Sequence, residues 1–76
     1  MFTVTYNADE YFGQWTVSVP TPPYVGQYVY RIDQEFPDCL RIFEVMSVSP
    51  VFGANGSFFY ISADLVYVGT DVREFS

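Results

Sequence analysis

The stretch "LRIFEVMSV", residues 40–48, decides between an all-β chain and a mixed one. Pro37 and Asp38, just ahead of it, are residue types that open helices, and a short helix over 37–46 would follow from them. Ile42, Phe43, Val45 and Val48 argue the other way, because β-branched and aromatic side chains fit a pleated, half-buried surface. Neither apolar period is clean, and the residue types favour a long strand. On that strand Ile42, Glu44 and Met46 share a face, expected to point inward. Glu44 would then need Arg31 or Arg41 as a partner, unless a bulge turns it outward.

On the C-terminal side, "SPVFGANGSFFYIS" (49–62) reads as a hairpin with Asn55-Gly56 at its turn. "FFYIS" is the return strand, "LVYVG" (65–69) a last short strand and "TDVREFS" a polar tail. On the N-terminal side, "FTVTYN" (2–7) alternates Phe2, Val4 and Tyr6 against Thr3, Thr5 and Asn7. "QWTVSV" (14–19) sets Trp15, Val17 and Val19 on one face. These two strands should pair as an antiparallel hairpin around "ADEYFG". "PTPP" (20–23) ends the ladder, since proline has no N–H to donate. Gly26 then permits a bend, and strand three follows over 27–33. Tyr28, Tyr30 and Ile32 lie on one of its faces, expected to wall the core, with Val29 and Arg31 on the other. Tyr24 is expected at the surface.

Composition agrees with an all-β reading. Val, Ile, Thr, Phe, Tyr and Trp supply 35 of 76 residues, Leu and Ala only 5. A chain this short buries only about 60% of the surface exposed on unfolding. Its 8 Phe, 7 Tyr and 1 Trp compensate with bulk. The expected architecture is one domain over 1–76, a small antiparallel barrel or strongly bent sheet of five to six short strands. Closure would also remove exposed edges.

The order strand, proline, hydrophobic-Gly, strand, hairpin is carried by "WTVSVPTPPYVGQYVYRI", "LRIFEVMSV" and "SFFYISADLVYV". It resembles the small SH3-like barrels encoded by short phage and bacterial open reading frames. The resemblance implies an architecture and no particular activity.

Chemistry is narrowed by what the sequence lacks. There is no histidine to activate Cys39, and no Gly-x-Ser-x-Gly elbow. Zinc would lack ligands. Asp33-x-Glu35-x-x-Asp38 comes nearest to a hard-cation loop, but has no glycine at the turn. "GANG" (53–56) precedes no helix that would offer its N-terminus to an anion. The expectation is a chain with no catalytic residues, cofactor or metal. A single cysteine excludes an internal disulfide. No basic segment followed by an apolar one opens the chain, and the longest apolar runs are too short to span a bilayer. A soluble, cytoplasmic protein is therefore expected.

Charge is the loudest signal. Nine acidic residues face three arginines, for a net charge of −6, with neither lysine nor histidine. Direct nucleic-acid binding needs a basic footprint and is disfavoured. The acids cluster by connector: Asp9 and Glu10 in the first, Asp33, Glu35 and Asp38 in the third, Asp71 and Glu74 in the tail. Tyr11, Phe12 and Phe36 sit in the same connectors. If the first and third connectors share one end, five carboxylates form one patch around aromatic rings, a composition suited to a basic partner. The candidate partner-binding residues are Asp9, Glu10, Tyr11, Phe12, Tyr24, Asp33, Glu35, Phe36 and Asp38. The expected role is that of a non-enzymatic, phage-encoded inhibitor, of anti-CRISPR or other anti-defence type. It would bind a basic, nucleic-acid-binding surface of a host protein. The alternative is an assembly module, such as a virion component, that oligomerises through Tyr24, Tyr28 and Tyr30.

Overall fold

In the computed structural model, which describes residues 1–72, five strands form one strongly curled sheet. They are β1 (Phe2–Asn7), β2 (Gln14–Val19), β3 (Tyr28–Ile32), β4 (Cys39–Phe52) and β5 (Phe58–Val72). Their spatial order is β2-β1-β5-β4-β3. Neighbours run antiparallel except β1 and β5, which pair in parallel from Val4 opposite Ile61 to Asn7 opposite Asp64. No helix is present among the described residues, so none is long and apolar enough to cross a membrane. Glu74 and most of the expected tail lie outside the described residues.

The strand expected over 40–48 is longer still, and two expected short strands are one. The 40–48 stretch continues through "SPVF" into β4, and "FFYIS" fuses with "LVYVG" into β5. At about 3.4 Å per residue these 14 and 15 residues make a hairpin of roughly 48 Å. It accounts for the 51 Å long axis of a molecule only 21 × 20 Å across. Its loop is closed by Gly56 N–H donating to the Gly53 carbonyl, and Gly56 adopts φ +83°, the left-handed conformation glycine takes without a Cβ penalty. Asn55 has no positive φ, so Asn55-Gly56 is not a two-residue primed turn. Gly56 instead follows the turn as its left-handed closing residue.

The core is small and lies on the concave face: Val4, Tyr6, Phe43, Val45, Ile61, Ala63 and Leu65. Phe12, Trp15, Val19, Val29 and Val48 pack against it. The inward residues of β4 are thus Phe43, Val45 and Val48, not Ile42, Glu44 and Met46. The cause is a bulge: Val45 pairs with Leu65 and Ser47 with Asp64, leaving Met46 as an extra residue without a partner. The inward set steps by two from Phe43 to Val45 and by three to Val48, which is why no single period fits.

β3 is also turned over relative to expectation. Val29 packs on the core, while Tyr28, Tyr30 and Ile32 are exposed on the convex face. Glu44 follows the same face, opposite both Tyr28 and Val66, and takes neither Arg31 nor Arg41 as a partner.

β2 and β3 form the two margins of the sheet and do not pair, so the barrel stays half open. A side chain bridges the seam instead. The Arg31 guanidinium sits 4.4 Å from the centre of the Trp15 ring, an attraction of about 0.5–2 kcal/mol depending on desolvation. The "PTPP" corner leads into this margin. Pro23 is buried, and the Gly26 N–H donates to the Val45 carbonyl with φ +91°.

Candidate functional site

The first and third connectors are built alike. Asp9 opens one and Asp33 the other. One carboxylate oxygen of Asp9 accepts hydrogen bonds from the backbone N–H groups of Tyr11 (3.0 Å) and Phe12 (2.9 Å). Asp33 does the same for Glu35 (2.8 Å) and Phe36 (2.9 Å). These are Asx turns, in which a short acidic side chain replaces a missing backbone acceptor. "DEYF" and "DQEF" thus encode the same local structure.

The other oxygen of Asp33 accepts from Arg41 Nε at 2.8 Å, with the two side chains 12% and 19% exposed. Arg41 also donates to Thr70 Oγ1 at 2.7 Å and to the Tyr67 hydroxyl at 3.5 Å, and Tyr67 and Thr70 are hydrogen-bonded to each other. The Arg41 hydrogen bond and the backbone N–H groups hold the Asp33 carboxyl below the usual carboxylate range. Asp33 in turn holds the Arg41 guanidinium firmly protonated. The Thr70 and Arg41 hydrogen bonds pull the Tyr67 hydroxyl down. Burial pushes the core hydroxyl of Tyr6 up.

A pH dependence follows for Asp33. Its folded pKa lies below its unfolded value near 3.9, so its contribution is fully present above about pH 4 and is lost as pH falls through the folded value. Thermal melts between pH 6 and 2 should lose stability below about pH 4, and Asp33→Asn should flatten that acid limb. An unchanged limb in the variant would show that the pair does not couple to folding.

The two connectors do come together. They line a groove of about 320 Å³ formed by Tyr11, Phe12, Arg31, Ile32, Asp33, Gln34 and Glu35. The expected five-carboxylate patch is not what it contains. Asp33 and Glu35 line the groove, whereas Asp9 and Glu10 border a separate hollow with Asn7 and Gln14. Asp38 lies in a third concavity with Tyr30, Leu40 and Asp71. Asp33 is already neutralised by Arg41, so Glu35 is the free carboxylate of the groove.

The rings divide as well. Phe12 folds back onto the core, 5.1 Å from the Phe43 ring and 5.0 Å from Tyr67. Tyr11, 76% exposed, packs edge-on against Phe12, while Phe36 and Tyr24 are exposed. Asp33-x-Glu35-x-x-Asp38 does not converge, and no group of three or more metal-ligating side chains occurs among the described residues.

Sequence reasoning named Arg31 and Arg41 only as partners for Glu44 and missed their roles at this end, where Arg31 stacks on Trp15 and Arg41 pairs with Asp33. Arg31 shares the inner face of β3 with Val29, so its alternation was legible once that face was known to be the core side. With Arg31 on Trp15 and Arg41 on Asp33, both described arginines are occupied within the fold. Of the eight acidic residues described, Asp33 alone is in an ion pair. No family model, curated protein or solved structure matches the chain.

Proposed function

We propose that the chain is a non-enzymatic binder of a basic protein surface, an inhibitor of the kind phages encode against host defence. Its connector end would occupy a nucleic-acid-binding cleft of a cytoplasmic host protein. The observation that carries this reading is the disposition of charge. The two described arginines are occupied by Trp15 and Asp33, which leaves seven of the eight described carboxylates without an ion-pair partner among the described residues, in a chain of net charge −6. Such a surface steers association with a basic cleft and excludes acidic partners. Tyr11 and Phe36 supply exposed rings at the same end, next to Glu35 and Glu10.

The test is capture from host lysate at low and high salt, with the retained proteins identified by mass spectrometry. A nucleic-acid-binding protein should be retained at low salt, lost at high salt and displaced by added nucleic acid, because exposed charges are screened within about 8 Å at 0.15 M. The double variant Glu10→Lys/Glu35→Lys should weaken that capture about tenfold, equivalent to about 1.4 kcal/mol. These positions are chosen over Asp33, whose reversal would break the connector itself. Undiminished capture would remove the connector end as the contact.

A second reading, an assembly module, is favoured by the tip of the β4–β5 hairpin. Phe52, Phe58 and Phe59 are exposed there, and no charged residue occurs between Glu44 and Asp64. A defined oligomer of the pure protein in sedimentation, dispersed by Phe59→Asp, would support it.

A further inference from the structure

The convex face of β3–β4–β5 is an ordered grid of side chains. Register sets Ile32, Leu40 and Asp71 in one row, Tyr30, Ile42 and Gly69 in the next, and Tyr28, Glu44 and Val66 in the third. The described residues form a single sheet, so no second layer covers this face. Tyr28, Tyr30 and Ile32 are 52%, 59% and 63% exposed. In a chain with so small a core, large apolar side chains left bare in register mark an interaction surface.

Two details give the face a shape. Gly69 stands in the middle row, and a Cβ placed on it would meet nothing within 4 Å. The missing side chain leaves a dent beside Ile42. Next to it, a concavity of about 630 Å³ runs from Tyr30 and Ile42 to Pro37, Asp38 and Asp71. That volume suits one or two large side chains of a ligand.

The rim is acidic. Asp38, Glu44 and Asp71 border or stand within the grid, and none is in an ion pair among the described residues. Arg31 and Arg41 belong to the opposite face. Strands lie about 4.8 Å apart and alternate residues about 6.7 Å, so the grid spans roughly 10 × 13 Å. With side chains it offers a few hundred Å², well short of the about 800 Å² per partner of a stable protein pair. Two copies face to face would also bring like carboxylates together. A short segment of another chain fits both the area and the charge.

We propose that this face docks a short segment of a basic partner protein, with one apolar side chain seated over Gly69 against Ile42 and Tyr30, and flanking arginine or lysine side chains reaching Asp38 and Glu44. The proposal rests on the reading of the partner as basic, and places a contact on the convex face, which meets the connector groove only at Ile32.

The test uses the whole chain, labelled with nitrogen-15, and two synthetic nonapeptides, one alternating Arg and Leu and one alternating Arg and Ser. The Arg–Leu peptide should shift the amide signals of Tyr30, Ile42, Gly69 and Asp71, and the Arg–Ser peptide should bind at least tenfold more weakly. Gly69→Val, which fills the dent, and the pair Asp38→Lys/Glu44→Lys should each weaken the Arg–Leu peptide at least tenfold while the rest of the spectrum stays folded. Equal affinity for the two peptides, or no binding at all, would overturn the proposal. So would a dimer of the free protein that Ile42→Ser disperses. Shifts confined to Tyr11, Phe12 and Glu35 would overturn it while leaving the connector-end reading intact. Binding at the grid without capture of any nucleic-acid-binding protein would sink that earlier reading alone.

Discussion

Phe43→Ala should leave the chain unfolded at 25 °C. Phe43 is fully buried at the centre of the concave face, and its ring lies 5.1 Å from Phe12, 5.5 Å from Trp15 and 5.8 Å from Tyr67. Truncating a buried Phe to Ala costs about 3–5 kcal/mol, the lost transfer energy plus the cavity left behind. A core in a chain of this size supplies about 3–5 kcal/mol of net stability. The loss therefore equals the whole. Phe12 adds to it, because its ring packs on the Phe43–Tyr67 pair, and with Phe12 goes the wall of the connector groove. Far-ultraviolet circular dichroism in a urea series should show no cooperative transition for Phe43→Ala. Phe43→Leu, close in volume, should keep a transition shifted by about 1–1.5 kcal/mol. A Phe43→Ala variant with a wild-type midpoint would mean that stability resides elsewhere than in this cluster.

Trp15→Ala should be the next most damaging change, at about 2–3 kcal/mol, below the range for a fully buried Trp because the ring is only half-buried. It acts at two places. Inside, it removes the contacts to Tyr6 at 5.7 Å and to Phe43. At the seam, it removes the one ring that Arg31 spans to, and leaves the margins β2 and β3 with no cross-contact of that kind. The variant should bind a hydrophobic dye and exchange the β2 amides faster than those of β4. Arg31→Ala separates the two effects: the core contacts stay, about 0.5–1 kcal/mol is lost, and acrylamide should quench the single tryptophan more readily. Equal quenching in Arg31→Ala and the parent protein would show that the cation does not close the seam.

The all-β class and the strand positions were legible because they rest on residue type. Val, Ile, Tyr and Phe mark pleated segments wherever they fall, and "PTPP" marks a break. Which face of β3 and β4 points inward was not legible, because that depends on pairing. Met46 is one residue on β4 facing none on β5, and nothing about a methionine announces a bulge. Once it is there, Phe43 and Val45 go in and Ile42 and Glu44 go out. Tyr28, Tyr30 and Ile32 follow them outward through the register with β4. The candidate site was half legible for the same reason. The acids and rings of the connectors are visible in the sequence, and those connectors do meet. That Asp9 and Asp33 spend their carboxylates on their own loops could be inferred from "DEYF" and "DQEF" only by treating them as turns before treating them as charges. The pairing of Asp33 with Arg41 needed the fold.

The parallel pairing of β1 with β5 sets the order in which the molecule can assemble. β5 is the central strand of the sheet and the last in chain order, and it joins β1 across 57 positions, from Val4 to Ile61. Before it arrives, β1–β2 and β3–β4 are two separate hairpins, each marginal alone in water. During synthesis these halves must wait, aromatic faces uncovered, for the strand that joins them. Contacts so distant in sequence slow folding, since loop closure comes before any stabilising contact. The excess negative charge acts already in the newly made chain: by mutual repulsion it keeps unfinished copies apart until β5 closes the centre.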